Sequence, residues 1–242
     1  MSVKNMHYDL KQKLNKLDGQ KYRNLIIPEI DWKLNEAMRI FIQTIAEPRM
    51  RNSLGFEMNQ RTIDDISTIV VNTTDSAGVV PTVFNSTSYK MPLPNDYLHY
   101  VGIDRIEASK GKCKKMLMEQ VYIRQHNDNH ESSPFDRSSF EWREVNCRFY
   151  SGGLRIFTDG TFSIDKVCMS YIRKPKYIHN AEDYRPGGYT LPDGTALTGY
   201  QDCELPQQVH AQIVDIAVLI TSGDLQVPDF QTRQLKLKLT DS

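Results

Sequence analysis

The chain has 242 residues, of which 30 are basic and 30 acidic, so its formal net charge is zero. A balanced surface provides no global field that would draw the protein to nucleic acid or to an anionic membrane. No apolar run approaches the ~20 residues that span a bilayer, and the polar start MSVKNMHYDLKQK lacks the apolar stretch of a signal peptide; a soluble protein made in a cytoplasm is expected.

In chain order, Val3 to Leu17 places Met6, Leu10, Leu14 and Leu17 on one side of a first helix. From Pro28 to Met50, Ile30, Leu34, Ala37, Met38, Phe41 and Ile45 recur at helical spacing. Pro28 suits a first turn, where its missing N–H costs nothing, and Glu29 and Asp31 sit near the positive end of the helix dipole. Pro48 marks a stop or kink. After a turn-like Asn52-Ser53-Leu54-Gly55, a third helix is read over Asn59 to Val70, with Ile63, Ile66, Ile69 and Val70 apolar and Asp64-Asp65 in its first turns.

Period-two alternation then takes over, in Thr87–Met91, Tyr97–Ile106, Met116–Ile123, Glu141–Phe149, Leu154–Phe157 and Phe162–Ile172. Ser151-Gly152-Gly153 and Asp159-Gly160 suit tight hairpin turns on either side of a short strand. Alternation slips near Lys166, where a bulge would restore it. Two stretches resist regular structure, His126 to Ser139 and Ala181 to Gln201; loops this long are read as contact arms. The last helix lies in ELPQQVHAQIVDIAVLITSG, entered through Pro206 and closed by Gly223, with Val209, Ile213, Ile216, Ala217 and Ile220 in one stripe. Neither this helix nor Pro28–Met50 can bury its stripe alone, so the two are expected to pack together. The fold class is α+β: residues 1–70 with 205–242 form a discontinuous helical bundle, and residues 71–204 form a β-rich insertion, an antiparallel β-sandwich or partly open barrel with long contact loops.

Few residues suggest chemistry. His126 and His130, with Asp128 and Glu131, lie in a turn-like stretch without a recognisable distant ligand pair, so a solvated loop is preferred to a metal site. Asp159-Gly160-Thr161 and Asp64-Asp65 have sufficient local explanations as a turn and a helix start. No nucleophile elbow, Walker loop, zinc-protease or dinucleotide pattern is present, and the chain is read as a non-enzyme with no cofactor. Cys113, Cys147, Cys168 and Cys203 form no C-x-x-C pair and are read as free thiols on strands. Lys110, Lys112, Lys114 and Lys115 beside Arg105, and Arg173, Lys174 and Lys176, are read as solvated hairpin tips. Tyr177, Tyr184, Tyr189 and Tyr200, with Phe135 in the first irregular stretch, are the candidate interface residues, since aromatic rings give large contact area at low entropy cost. Packing of the long loop on its own sheet is the alternative for the tyrosines.

Ile30-Asp31-Trp32-Lys33-Leu34-Asn35-Glu36-Ala37, Phe56-Glu57 to Asp64-Asp65-Ile66, and Leu93-Pro94-Asn95-Asp96-Tyr97-Leu98 follow one another in an order that resembles tailed-phage virion proteins. The likeness continues through Arg155-Ile156-Phe157-Thr158-Asp159-Gly160-Thr161-Phe162, Tyr171-Ile172-Arg173-Lys174-Pro175, Leu205-Pro206 and Ile213-Val214-Asp215-Ile216-Ala217. The family is that of the ring, or head-to-tail adaptor, proteins of crAss-like podoviruses of gut Bacteroidales. Such a resemblance implies a virion neck or tail protein assembled in the cytoplasm of a host bacterium. It also implies about twelve copies closed into a ring, bound to the portal on one side and to adjacent tail or neck ring proteins on the other, with double-stranded DNA passing through passively. The competing reading is a lectin-like carbohydrate-binding β module of a phage tail, for which Trp32 and Trp142 are the only indole platforms; a cell-wall hydrolase would need paired acids on strands.

Overall fold

The computed structural model describes residues 1–15, 25–46, 64–73, 78–111, 114–123 and 137–224. The turn at 52–55, Pro48, residues 126–136 with Phe135 and both histidines of the weighed metal site, and Cys113 lie outside them. The fold is mixed α+β, and the chain divides into two compact units, Met1–Ile69 with Pro175–Ser242, and Val70–Lys174. Residues 175–204, expected with the β insertion, belong instead to the unit that holds the helices.

In that unit, α1 (Val3–Asn15), α2 (Ile27–Ala46) and α3 (His210–Asp224) are the main helices. α2 buries the predicted stripe of Ile30, Leu34, Ala37, Met38, Phe41 and Ile45, and adds Ile42 and Asp31. Its core-facing side therefore contains a carboxylate, near the positive end of the helix dipole as expected but fully buried. α3 contacts both α1 and α2, and the α2–α3 packing expected from the two stripes is present. The buried side of α3 is Ile213, Val214, Ala217, Val218, Thr221 and Ser222; Ile216 and Ile220, expected in the stripe, are only half-buried. Two hydroxyls can sit in this apolar face because Thr221 Oγ1 donates to the Ala217 carbonyl at 2.7 Å and Ser222 Oγ to the Val218 carbonyl at 2.6 Å. The helix runs one residue past Gly223, and Lys33 of α2 pairs with its terminal Asp224. Of the third predicted helix, residues 64–66 are helical and Ser67–Ile69 form a 3-10 segment before the chain extends, while residues 59–63 lie outside the described residues.

The second unit contains two sheets. One has the order β1 (Val70–Asn72), β9 (Ser163–Arg173), β4 (Tyr97–Lys110), β5 (Lys114–Met118). The other has the order β2 (Thr82–Asn85), β3 (Ser88–Pro92), β8 (Gly153–Phe157), β7 (Glu144–Tyr150), β6 (Gln120–Ile123). Both sheets contribute to one core, with Met91, Val145, Leu154 and Ile156 from the second and Ile106, Ala108, Val167 and Met169 from the first. Phe140 and Phe162, in connections, meet in it at 5.6 Å between ring centroids.

Of four local expectations, one is met and three resolve differently. Lys166 pairs with Glu107 and Ile164 with Ala108, which leaves Asp165 as the extra residue of the anticipated bulge. Ser151-Gly152 closes the β7–β8 hairpin, but Asp159-Gly160 does not close another: β8 and β9 belong to different sheets, and the turn carries the chain between them. Asp159 Oδ1 accepts from the Thr161 amide and hydroxyl, both at 2.8 Å, a self-contained turn that needs no partner strand. The pairing is not wholly antiparallel either, because β6 runs parallel to β7. Trp142 lies in the turn before β7 rather than on a strand. Gly153 is fixed by close approach, since a Cβ there would meet the Met91 carbonyl oxygen at 2.1 Å.

Because Ile213 is fully buried on the side of α3 that packs on its neighbours, Ile213→Asp places an unpaired charge in the helical core. Unfolding by urea should show a loss of about 3 kcal/mol or more. Melting together with the wild type would contradict the packing.

Candidate functional site

The most strongly organised polar cluster centres on Asp31, in the helical unit. Its Oδ1 accepts from His7 Nε2 of α1 at 2.7 Å; Oδ2 accepts from the Tyr189 hydroxyl at 2.6 Å and the Asn180 amide at 3.1 Å. One turn further along α2, Asn35 Nδ2 donates to the carbonyls of Asp31 and Ile178, both at 2.7 Å, and Asn35 Oδ1 accepts from the Ile178 amide at 2.8 Å. Residues four apart on a helix share a face. Residues two apart on an extended chain share an edge, so Asp31 and Asn35 together hold the backbone of Ile178 and Asn180 as a neighbouring strand would.

That backbone continues into β10 (His179–Asn180), which pairs on its other edge with β13 (Tyr200–Gln201). Between them, the 3-10 segment Ala181–Asp183 leads to the small pair β11 (Tyr189–Thr190) and β12 (Ala196–Leu197). The stretch 181–201, read from sequence as an irregular arm, is thus folded by short pairings. Gly188 is required in it: its φ is +79°, and a Cβ there would meet the Leu197 carbonyl oxygen at 1.8 Å. The same stretch reaches α1, whose Val3 amide donates to Asp202 Oδ1 at 2.7 Å and whose Lys4 pairs with Asp183 at 3.1 Å. Asp202 therefore caps α1 from 199 residues away, a signal that a local capping pattern could not reveal.

The four predicted interface tyrosines separate. Tyr184 and Tyr189 meet edge to face at 5.8 Å, and Tyr189 ends on Asp31. Tyr177 is half-buried; burial, then the nearby charge of Asp31, pushes its phenol up to about 12. Only Tyr200 is mainly exposed, at 60 %. Tyr184 and Tyr189 therefore make intrachain contacts that account for their rings, and Tyr177 is half-buried with its hydroxyl unpartnered. Tyr8 and Trp32, also exposed in this unit, were not singled out as interface residues from sequence.

Chemically the cluster is a closed tie. Asp31 is fully buried and accepts three hydrogen bonds, so its carboxylate is not presented to a substrate. Among the described residues, no group of three or more His, Cys, Asp or Glu side chains is arranged to hold a metal ion. Cys147, Cys168 and Cys203 are free and buried; Cys203 lies beyond β13 rather than on a strand. Burial pushes the Cys203 thiol up to about 11 and the Cys147 thiol higher still. Of the two basic runs, Lys110 and Lys114 do flank a β4–β5 hairpin tip. Arg173–Lys176 does not: the Lys174 amide donates to the Asp96 carbonyl and Lys176 pairs with Glu204 at 3.3 Å.

Tyr189→Phe should cost about 1.5–3 kcal/mol, the range for a hydrogen bond to a charged group, and Asp31→Asn should cost more, because an amide turned toward three donors leaves buried groups unpaired. Urea unfolding measures both, and a neutral Asp31→Asn would remove the tie from this account. The pH dependence has a definite sign. Cys203 and Tyr177 titrate higher folded than in the free chain, so their stabilising contribution is complete below pH 9.0 and is lost as pH rises to about 11 for Cys203 and about 12 for Tyr177. Unfolding free energy should fall across that alkaline window, with a shallower fall in Tyr177→Phe.

Comparison with protein-family models gave no match, and comparison with curated proteins gave no significant similarity.

Proposed function

We propose that the protein is a virion structural component, a head-to-tail adaptor ring subunit that links a portal to the tail and surrounds the DNA exit path. The observation that carries this reading is the ordered series of motifs resembling ring proteins of crAss-like podoviruses, running from Ile30 to Ala217. Two features support it. Helices from both ends of the chain pack together, with a long β segment between them in sequence, which supports reading the fold as a helical bundle with an inserted sandwich. The best-organised polar cluster is a buried tie that fixes architecture instead of meeting a ligand. No helix among the described residues is long and apolar enough to cross a membrane.

In this reading the role is structural, and no catalytic step is assigned. The partners are other copies of the chain, the portal and the neighbouring neck or tail rings. Exposed aromatic side chains, Tyr8, Trp32 and Tyr200 among them, are available to such contacts.

Purified phage particles should contain this chain in a fixed copy number, about twelve for a closed ring of the proposed type, measured by quantitative mass spectrometry, and a cryo-EM map of the neck should place it between portal and tail. Absence from purified particles, or a position on a tail fibre or receptor-binding tip, would overturn the proposal.

A further inference from the structure

Strand pairing gathers three cations that are distant in sequence. Lys90 of β3 pairs with Arg155 of β8, and Arg155 pairs with Arg148 of β7. The three Cα positions span about 10 Å, two inter-strand spacings. Met91, Leu154, Ile156 and Cys147, alternating with them along the same strands, point into the core. The cations therefore share the opposite, outer face of the sheet.

Like charges in directly opposed positions destabilise a sheet. Among the described residues of the unit the ion pairs are Arg105–Glu107 and Arg143–Glu119, neither of which includes the row. Aromatic rings hold two of the cations, Lys90 and Arg155, in place. The Phe84 ring centroid lies 3.6 Å from Lys90 Nζ and 4.0 Å from Arg155 Cζ, and that of Tyr150 lies 5.5 Å from Lys90 Nζ. Arg155 Nε is buried without a hydrogen-bond partner.

From this we infer that the outer face of the five-stranded sheet binds the phosphodiester backbone of nucleic acid. Two guanidiniums suit phosphate oxygens through paired N–H donors. Tyr150, exposed beside the row, offers a ring on which a base can stack, which an acidic peptide would not use. Recognition is independent of base sequence, since every contact is to the backbone or to a π face. The whole chain is neutral, so outside these three cations its formal charge is −3, and binding is weak and depends on salt. The inference stands on the geometry of the sheet and does not rest on the adaptor reading.

The test is fluorescence anisotropy of the full chain with labelled duplex and single-stranded oligonucleotides of mixed sequence, from about 20 to 200 mM salt. Three phosphate contacts predict log K against log[salt] slopes of about −2.7 on duplex and about −2.1 on single strands, and the arm that binds tighter identifies the source of the backbone. The triple variant Lys90→Gln, Arg148→Gln, Arg155→Gln should lose at least about tenfold in affinity at low salt and most of the slope. Arg155→Lys, which keeps the charge, should retain the slope. Lys110→Gln with Lys114→Gln, at the hairpin tip, should bind as the wild type does. No binding at the lowest salt, unchanged binding by a folded triple variant, or equal competition by oligoglutamate of matched charge would each overturn the inference.

Discussion

Burial of the Asp31 carboxylate is the constraint on which the helical unit depends. A fully desolvated carboxylate is tolerable only when its lone pairs are used, and here α1, β10 and β11 each contribute one donor. Those donors come from positions 7, 180 and 189, so the segment that follows the β unit in sequence is tied to the helices formed at the start of the chain. With Asn35 holding Ile178 on both its amide and its carbonyl, α2 acts as one edge of a small polar framework as well as the wall of an apolar core. The tie also explains why residues 175–204 belong to this unit although they lack a long helix or strand: the backbone of Ile178 and Asn180 is satisfied by side chains of α2.

A different principle organises the β unit. Its sheets share one apolar core, and polarity is decided by which face of a strand a residue occupies. Inner positions of β3, β7 and β8 are Met91, Cys147, Leu154 and Ile156, and the outer positions between them are basic. The Phe84 ring, on the exposed edge strand β2, is stacked under two of those cations rather than placed in the core. This ring holds the cations without cancelling their charge, which is why a sheet in an electrically neutral protein can carry a strongly local field.

The two arrangements bear on function in different ways. The Asp31 tie is inward and closed, and its consequences are for stability and for the spacing of exposed rings such as Tyr200. The cation row is outward and unpaired within its sheet, and its consequences are for what the surface attracts. A neck ring must be rigid and must also tolerate a polyanion moving past it; a structural tie together with a weak, sequence-independent backbone contact is compatible with both demands.

Much of the secondary structure was legible in the sequence because it is written in local periodicity. The stripes of α1 and α2, the strands β3, β4, β8 and β9, and the bulge at Asp165 all follow from spacing and turn residues alone. What periodicity cannot encode is the partner of each strand. Asp159-Gly160 has the chemistry of a hairpin but joins two sheets, and β6 chose a parallel neighbour, because pairing is settled by the shared core rather than by the turn. Tyr184 and Tyr189 could be read as interface anchors or as loop packing until the ring-to-ring contact and, for Tyr189, the Asp31 carboxylate engaged them. Lys90, Arg148 and Arg155 lie in three unremarkable segments, and only strand register sets them side by side. Sequence by itself therefore determined the long helices, the longer strands and most of their apolar positions; tertiary structure alone decided the short pairings of 179–201 and which polar groups meet, since those contacts join residues far apart in the chain, where local patterns carry no information.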